Sequence, residues 1–456
     1  MLTFLTAAAL TASAQALRTG YFSDSYLYRH HLNPALGNER SYFSFPALGN
    51  LSVNYGANCG ISTFIKPYNG RLVTALHESV STEDFLGGLK DKTKLYENVD
   101  VTLFSLGIVT ENGYNTFEIG FHEQAGLQAP KALFSLLKEM NPQKTYSFDD
   151  LRVKARGWVD LSFGRSFQVG DHLSLGLKLK ALLGAAYADL EMTDCHATFG
   201  ENEWRMSMKG DFRYKFGKSE FKTDSQGRLD DIDNGSFGIA GYGGAVDLGV
   251  HYDMVEVVDG LKLSAAVTDL GMIRWCDAEY AYNDGKEFTW SGFNEFSIHD
   301  EESHVEGSHQ GSLSDQWSDM RDDLEKFANL QVGKPKDVNE MLAATLTLGA
   351  EFELPAYKKL SFGMLYTQRF AESLGYQELR LNANWAPARI FDLAVSGAAT
   401  TWGASLGALA NLCLPGFNIF LGTDYVYTGK VNKDYISLEN GGMNVQFGIN
   451  FPMGGK

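Results

Sequence analysis

The chain has 456 residues, with 56 Asp and Glu against 39 Lys and Arg, a net charge of -17 and a pI near 5.0. A phosphate backbone needs a basic face, so nucleic acid is excluded as the natural partner. Hydrophobic residues make up 44% of the chain, too many for a disordered protein, yet no run long enough for a spanning helix follows the N-terminus. The 48 glycines, 10 prolines and 13% aromatics suit many twisted strands.

Residues 1–14 are predicted to be a signal peptide: an apolar core ends in the small triplet Ala12-Ser13-Ala14, with cleavage before Gln15. No Lys or Arg precedes Arg18, so the basic start of such a leader is missing, and a short buried helix is the alternative. Residues 15–49 form an N-terminal segment, and strands are expected from residue 50 to 452. Val159-Leu161-Phe163, Leu173-Leu175-Leu177-Leu179 and Leu261-Leu263-Ala265-Val267 alternate with polar or small residues. So do Leu342 to Leu354 on even positions, Leu379-Leu381-Ala383-Trp385, Phe417-Ile419-Leu421 and the odd positions from Met443 to Phe451. Strands of about ten residues match a tilted bilayer crossing, whereas sandwich strands are usually about half as long.

Short links fall at Gly170-Asp171, 258–260, 355–359, 387–390 and 414–416, and long ones at 67–100, 123–156, 217–236, 276–340 and 428–441. If the last strand ends in the periplasm, every short link lies inside and every long one outside, the asymmetry of outer-membrane barrels. The fold class is therefore all-β, a transmembrane antiparallel barrel of about sixteen strands. The count falls to about fourteen if Leu190 to Phe216 is an outer hairpin that does not cross.

Residues 277–340 hold 16 acidic and 5 basic residues, so this long outer loop (276–340) carries a net -11 of the total -17. Inside it Ser312 to Asp315 offers a capping box, and Trp317, Met320, Leu324 and Phe327 recur at helical spacing. A second short helix is expected over Pro130 to Met140, with Leu133, Leu137 and Met140 on one face. The four cysteines form no CxxC pair. Either Cys195 pairs with Cys276 or they stay unpaired.

Catalytic motifs are weak. Gly403 to Gly407 reads GxSxG but lies between two alternating strands, not at a strand-to-helix elbow. His251 to Asp253 and His122-Glu123 lack metal-helix spacing, and His30-His31 reads as a surface pair. Gly241, Gly243 and Gly244 lack a complete dinucleotide fingerprint, and Asp230 to Gly235 reads as a turn. The chain is thus expected not to be an enzyme and to need no cofactor or metal.

Leu32-Asn33-Pro34-Ala35-Leu36, the stretch Tyr42 to Asn50 and Val267-Thr268-Asp269-Leu270-Gly271-Met272-Ile273-Arg274-Trp275 together resemble an uncharacterised family of outer-membrane barrels related to PorV-like and FadL-like proteins. In FadL-like proteins an N-terminal hatch bearing Asn-Pro-Ala plugs a fourteen-stranded barrel that carries hydrophobic molecules. The resemblance implies that Asn33, Pro34 and Ala35 lie at or inside the periplasmic mouth, in the outer membrane of a Gram-negative bacterium. Proline fixes its own φ and biases Asn33 from helix, so a rigid turn at the lumen is expected. Asp269 is expected inside the lumen and Trp275 among the interface aromatics. The segment before the first strand is shorter than a full hatch.

Three functions follow. A barrel that binds or passes small hydrophobic molecules predicts an apolar pocket near the plug. A docking barrel for exported or surface proteins predicts a packed lumen. A soluble secreted β-protein predicts that the large apolar positions form its core.

Overall fold

The computed structural model describes residues 16–139, 144–200, 203–290, 330–371, 375–401, 403–426, 431–432, 435–436 and 442–453. The signal peptide expected at 1–14, the helical spacing at 312–327 and most of the acidic loop lie outside these residues.

Fourteen antiparallel staves close into a barrel. Three are composite: Ser41–Ser44 with Leu51–Ala57 (first), Trp204–Phe216 with Gly241–Asp253 (sixth), and Lys336–Met341 with Thr345–Glu353 (eighth). The last stave, Gly442–Met453, closes the ring on the first through Phe43↔Phe451 and Leu51↔Phe447. The higher count of sixteen fails at the sixth stave. Trp204–Phe216 and Gly241–Asp253 both pair with Leu173–Phe199 and with Leu261–Trp290, so they are two pieces of one crossing. Asp230 to Gly235 is more than a turn, because Leu229–Asp233 pairs with Glu220–Thr223 within the excursion that separates the pieces.

The wall is polar inside and apolar outside. Leu161, Phe163, Leu177, Leu179, Leu379, Leu381 and Leu421 are exposed, while the intervening Asp160, Ser162, Lys178, Arg380 and Asn382 are buried. A water-soluble β-protein would reverse this assignment, so that reading is overturned. A closed ring with no free backbone edge and an apolar belt is the form that can sit in hydrocarbon. At the inner end Tyr252, Tyr357, Trp385 and Phe417 remain exposed, where an amphipathic ring bridges lipid and water.

Some strands run far beyond a bilayer. Leu173–Phe199 and Leu261–Trp290 have 27 and 30 residues, against about 9–11 needed for one tilted crossing. Their outer ends carry a cap in which the helix Lys131–Lys138 packs Leu133 and Leu136 against Tyr146 and Phe199. Its Phe134 meets Phe64 and Phe85 on the opposite side. Leu137, expected to share a face with Leu133, is instead exposed. All four cysteines are free. Cys195 pairs across to Met208, whereas the Cys276 end of its strand lies past the Tyr214↔Glu279 pair on the far side of the intervening strand, beyond disulfide reach.

One irregularity rephases the wall. On Leu261–Trp290, Thr268 and Asp269 together oppose the single residue Asp247, and Asp269 adopts φ 57°. Its N–H donates to Asp247 Oδ1 at 2.7 Å. Such a bulge shifts which residues face inward. Before it the even residues Ala266 and Thr268 are buried; after it the odd residues Ile273 and Trp275 are. Trp275 is therefore not an interface aromatic. It is fully buried, stacks on Tyr187 with ring centroids 5.1 Å apart, and donates Nε1–H to Glu340 Oε2 at 3.1 Å.

Candidate functional site

Residues 16–40 of the N-terminal segment fill the inner part of the lumen as a plug, and the wall already begins at Ser41–Ser44. It has little regular structure beyond two 3-10 turns, Arg18–Gly20 and Arg29–His31, so its shape is set by what it touches. Asn33 Oδ1 accepts the N–H of Ala35 at 2.9 Å, a local turn that Pro34 stiffens. Asn33 Nδ2 donates to Tyr21 Oη at 3.0 Å and to the carbonyl of Val250 at 3.2 Å. The wall beneath is glycine because nothing larger fits. A Cβ on Gly176 would lie 2.1 Å from the Ala35 nitrogen, and one on Gly249 2.1 Å from Asn33 Oδ1. The structure thus places Asn33, Pro34 and Ala35 together against the inner ends of the fifth and sixth staves.

Two polar latches hold the plug. In the first, Arg18 is 2% exposed and approaches Glu378 Oε2 at 3.1 Å and Asp424 Oδ2 at 3.3 Å. Its Nη1 donates to Tyr376 Oη at 2.8 Å. Arg380 closes the cluster through Glu378 Oε1 at 2.8 Å, giving two buried cations and two buried carboxylates. Charges taken this far from water persist only when paired. In the second latch Glu118 accepts from Ser105 Oγ at 2.8 Å and is contacted by His30 Nε2 at 3.1 Å, His31 Nε2 at 2.9 Å and the Lys178 ammonium. His30-His31 is accordingly not a surface pair. Burial pushes His31 down to about 4, against the opposing pull of Glu118 and with Lys178 adding to the shift.

Above the plug lies a small cavity of about 140 Å³, lined among others by Asp100, His122, Asp160, Lys180 and Asp269. These groups are mutually satisfied: His122 lies 2.5 Å from Asp100 and 2.6 Å from Asp160, and Lys180 lies 2.8 Å from Asp247 and 2.6 Å from Asp269. Asp269 faces the lumen in this ionic group. The cavity beside the plug mixes these ionic groups with Leu32, Val101, Trp158 and Leu182, and is not the purely apolar pocket expected of a hydrophobic passage. One level higher lies an outer cavity of about 440 Å³, on one side walled by Tyr96, Tyr187, Leu342, Phe370 and Tyr376. Its other wall carries Arg152, Lys154, Arg156, Arg213 and Arg369 against Asp189 and Glu340. Gln124, Ala343, Arg369 and Tyr376 line both cavities and form the neck between them. A third cavity of about 520 Å³, below Asn33–Ala35, includes Arg29, His251, Lys262 and Glu351.

Among the described residues two groups have the donors for a metal ion: His30, His31 and Glu118 in the latch, and Asp149, Asp194 and His196 on the outer hairpin. In the first, the Lys178 ammonium already occupies the carboxylate. In the second, Asp149 is committed to the Cys195 N–H at 2.8 Å and the Ser147 hydroxyl at 2.7 Å. Sequence reasoning missed Arg18, Glu118, Glu378 and Asp424. For the three carboxylates the available signal was a charge at an inward position of an otherwise lipid-compatible strand, whereas Arg18 lies in a turn of the plug and gave none.

Residues 34–424 match the model of a family of unknown function, DUF5723. The chain belongs to that family. No curated protein matches it. Among solved structures, the chain is similar to the toluene transporter TbuX of Ralstonia pickettii, at 10% identity, TM-score 0.40, and coverage of 92% of this chain and 91% of that one. The monoaromatic hydrocarbon channel CymD shares 9% identity at TM-score 0.43, with 98% of each chain covered. A FadL homologue of Pseudomonas aeruginosa shares 11% identity at TM-score 0.38, covering 97% of this DUF5723 chain and 99% of its own.

Proposed function

We propose that this DUF5723 barrel sits in the outer membrane and binds or passes small hydrophobic molecules. The observation that carries the reading is the outer cavity, whose half-apolar wall of Tyr96, Tyr187, Leu342, Phe370 and Tyr376 leads through a neck to the latched plug. A few hundred cubic ångströms with an apolar lining and a few fixed polar groups is the usual form of a small-molecule site. TbuX and CymD, described as a toluene transporter and a monoaromatic hydrocarbon channel, supply the comparison for cargo. A docking barrel for exported proteins would favour a lumen packed throughout, and here only the inner part is filled. A non-catalytic role agrees with the lumen's acids and bases being bonded to one another.

The test is an equilibrium binding measurement with a neutral aromatic alcohol on detergent-purified protein. Ala343, buried at the neck, is the position to block. Ala343→Trp should abolish binding while the barrel still shifts on heating in a gel. Full binding by this variant would refute the assignment.

A further inference from the structure

The outer cavity has a charge the rest of the chain does not lead one to expect. The protein carries -17, yet five cations and two carboxylates line this space. The two carboxylates are already taken. Asp189 is held by Arg152 at 3.2 Å and Lys154 at 3.6 Å, and Glu340 by Lys154 at 2.5 Å and Arg156 at 3.1 Å. Arg213 lies over the Tyr280 ring at 5.6 Å. Arg369 has no ion pair among the described residues, and its buried Nε–H has no acceptor. It stands at the neck, where both cavities meet and where Tyr96, Phe370 and Tyr376 supply aromatic surface. A planar guanidinium with unused donors in a partly dry cavity is built for a carboxylate or similar oxyanion, and the neighbouring rings exclude a bare, fully hydrated one.

We propose that the outer cavity is a site for a small organic anion, with Arg369 taking the charged end and Tyr96, Phe370 and Tyr376 the apolar body. This rests on the reading of the barrel as a binder of small hydrophobic molecules and names which of them it prefers. Positive charge at the neck also sets the sign of what enters: anionic solutes are concentrated there and cationic ones repelled.

Three probes sharing one ring system separate the possibilities: 2-naphthoate, 2-naphthalenemethanol and 2-naphthylmethylammonium, titrated calorimetrically into the full chain in a non-ionic detergent. The anion should bind about tenfold more tightly than the alcohol, and the ammonium more weakly than either. Arg369→Gln should bring the anion to the affinity of the alcohol, while Arg369→Lys, which keeps the charge, should restore most of the difference. Because Arg369 has no ion pair among the described residues, both variants should assemble, as the heat-dependent gel shift reports. Equal binding of all three probes overturns the anion site and leaves the hydrophobic reading standing. Absence of binding by any probe overturns both. Acetate competing as well as naphthoate overturns the role of the aromatic wall.

Discussion

Removing the charge of Arg18 should release the plug. In the docked state Arg18 and Arg380 balance Glu378 and Asp424, all four being almost wholly buried. Arg18→Met leaves two carboxylates against one guanidinium and deprives the Tyr376 hydroxyl of a donor at 2.8 Å. Breaking a buried ion pair from one side costs about 3–5 kcal/mol, which would shift the docking equilibrium by at least about a hundredfold. The barrel itself need not unfold, because an undocked plug lets water reach Glu378 and Asp424. The assay is the rate at which a soluble maleimide labels Leu27→Cys, a buried plug position, with the four native cysteines replaced by serine. Labelling should accelerate at least about a hundredfold in the Arg18→Met background. Adding Glu378→Gln leaves one cation and one carboxylate, and should recover much of the protection. An unchanged labelling rate in Arg18→Met would refute the view that this cluster holds the plug.

Three further outcomes are expected. Leu421 is 58% exposed in the apolar belt, so Leu421→Arg should cost about 2–4 kcal/mol of folding into vesicles if it lies near the midplane; unchanged folding would contradict the outward orientation. His31 binds its proton near 4 when docked and near 6.5 when free, so docking is fully supported above 6.5 and weakens as pH falls towards 4. The loss should be about 2 kcal/mol by pH 5, seen as more frequent channel opening in planar bilayers at pH 5 than at pH 7.5, and flattened by His31→Asn. Trp275→Ala should destabilise the barrel by about 3–5 kcal/mol in denaturant titration, the cost of an emptied aromatic site, whereas an exposed interface tryptophan would lose far less.

Much of the barrel was legible because alternation is a local property. Leu177, Leu179, Leu379 and Leu381 announce an outward face without reference to any other strand. The sixth stave was harder, since Trp204–Phe216 and Gly241–Asp253 are separated by an excursion with its own hairpin, and only pairing to common neighbours shows that they are collinear. Trp275 was misplaced for a sharper reason. Its place at the end of an alternating run suggested the membrane interface, and the left-handed Asp269, itself not a glycine, shifts the pleat so that Trp275 turns inward. Asn33, Pro34 and Ala35 could be located through a resemblance, but Arg18 meets Asp424 across 406 residues, a contact no window along the chain can contain.

That long reach also fixes an order of events. The residues that receive Arg18 belong to the tenth and thirteenth staves, close to the end of the chain, although Arg18 stands near its beginning. The earliest segment to be made must wait for the latest before its charge has anywhere to go. A ring that closed with Glu378 or Asp424 out of place would present no socket and would keep its stopper loose. Successful seating is therefore a self-test of assembly: the stopper fits only a finished vessel.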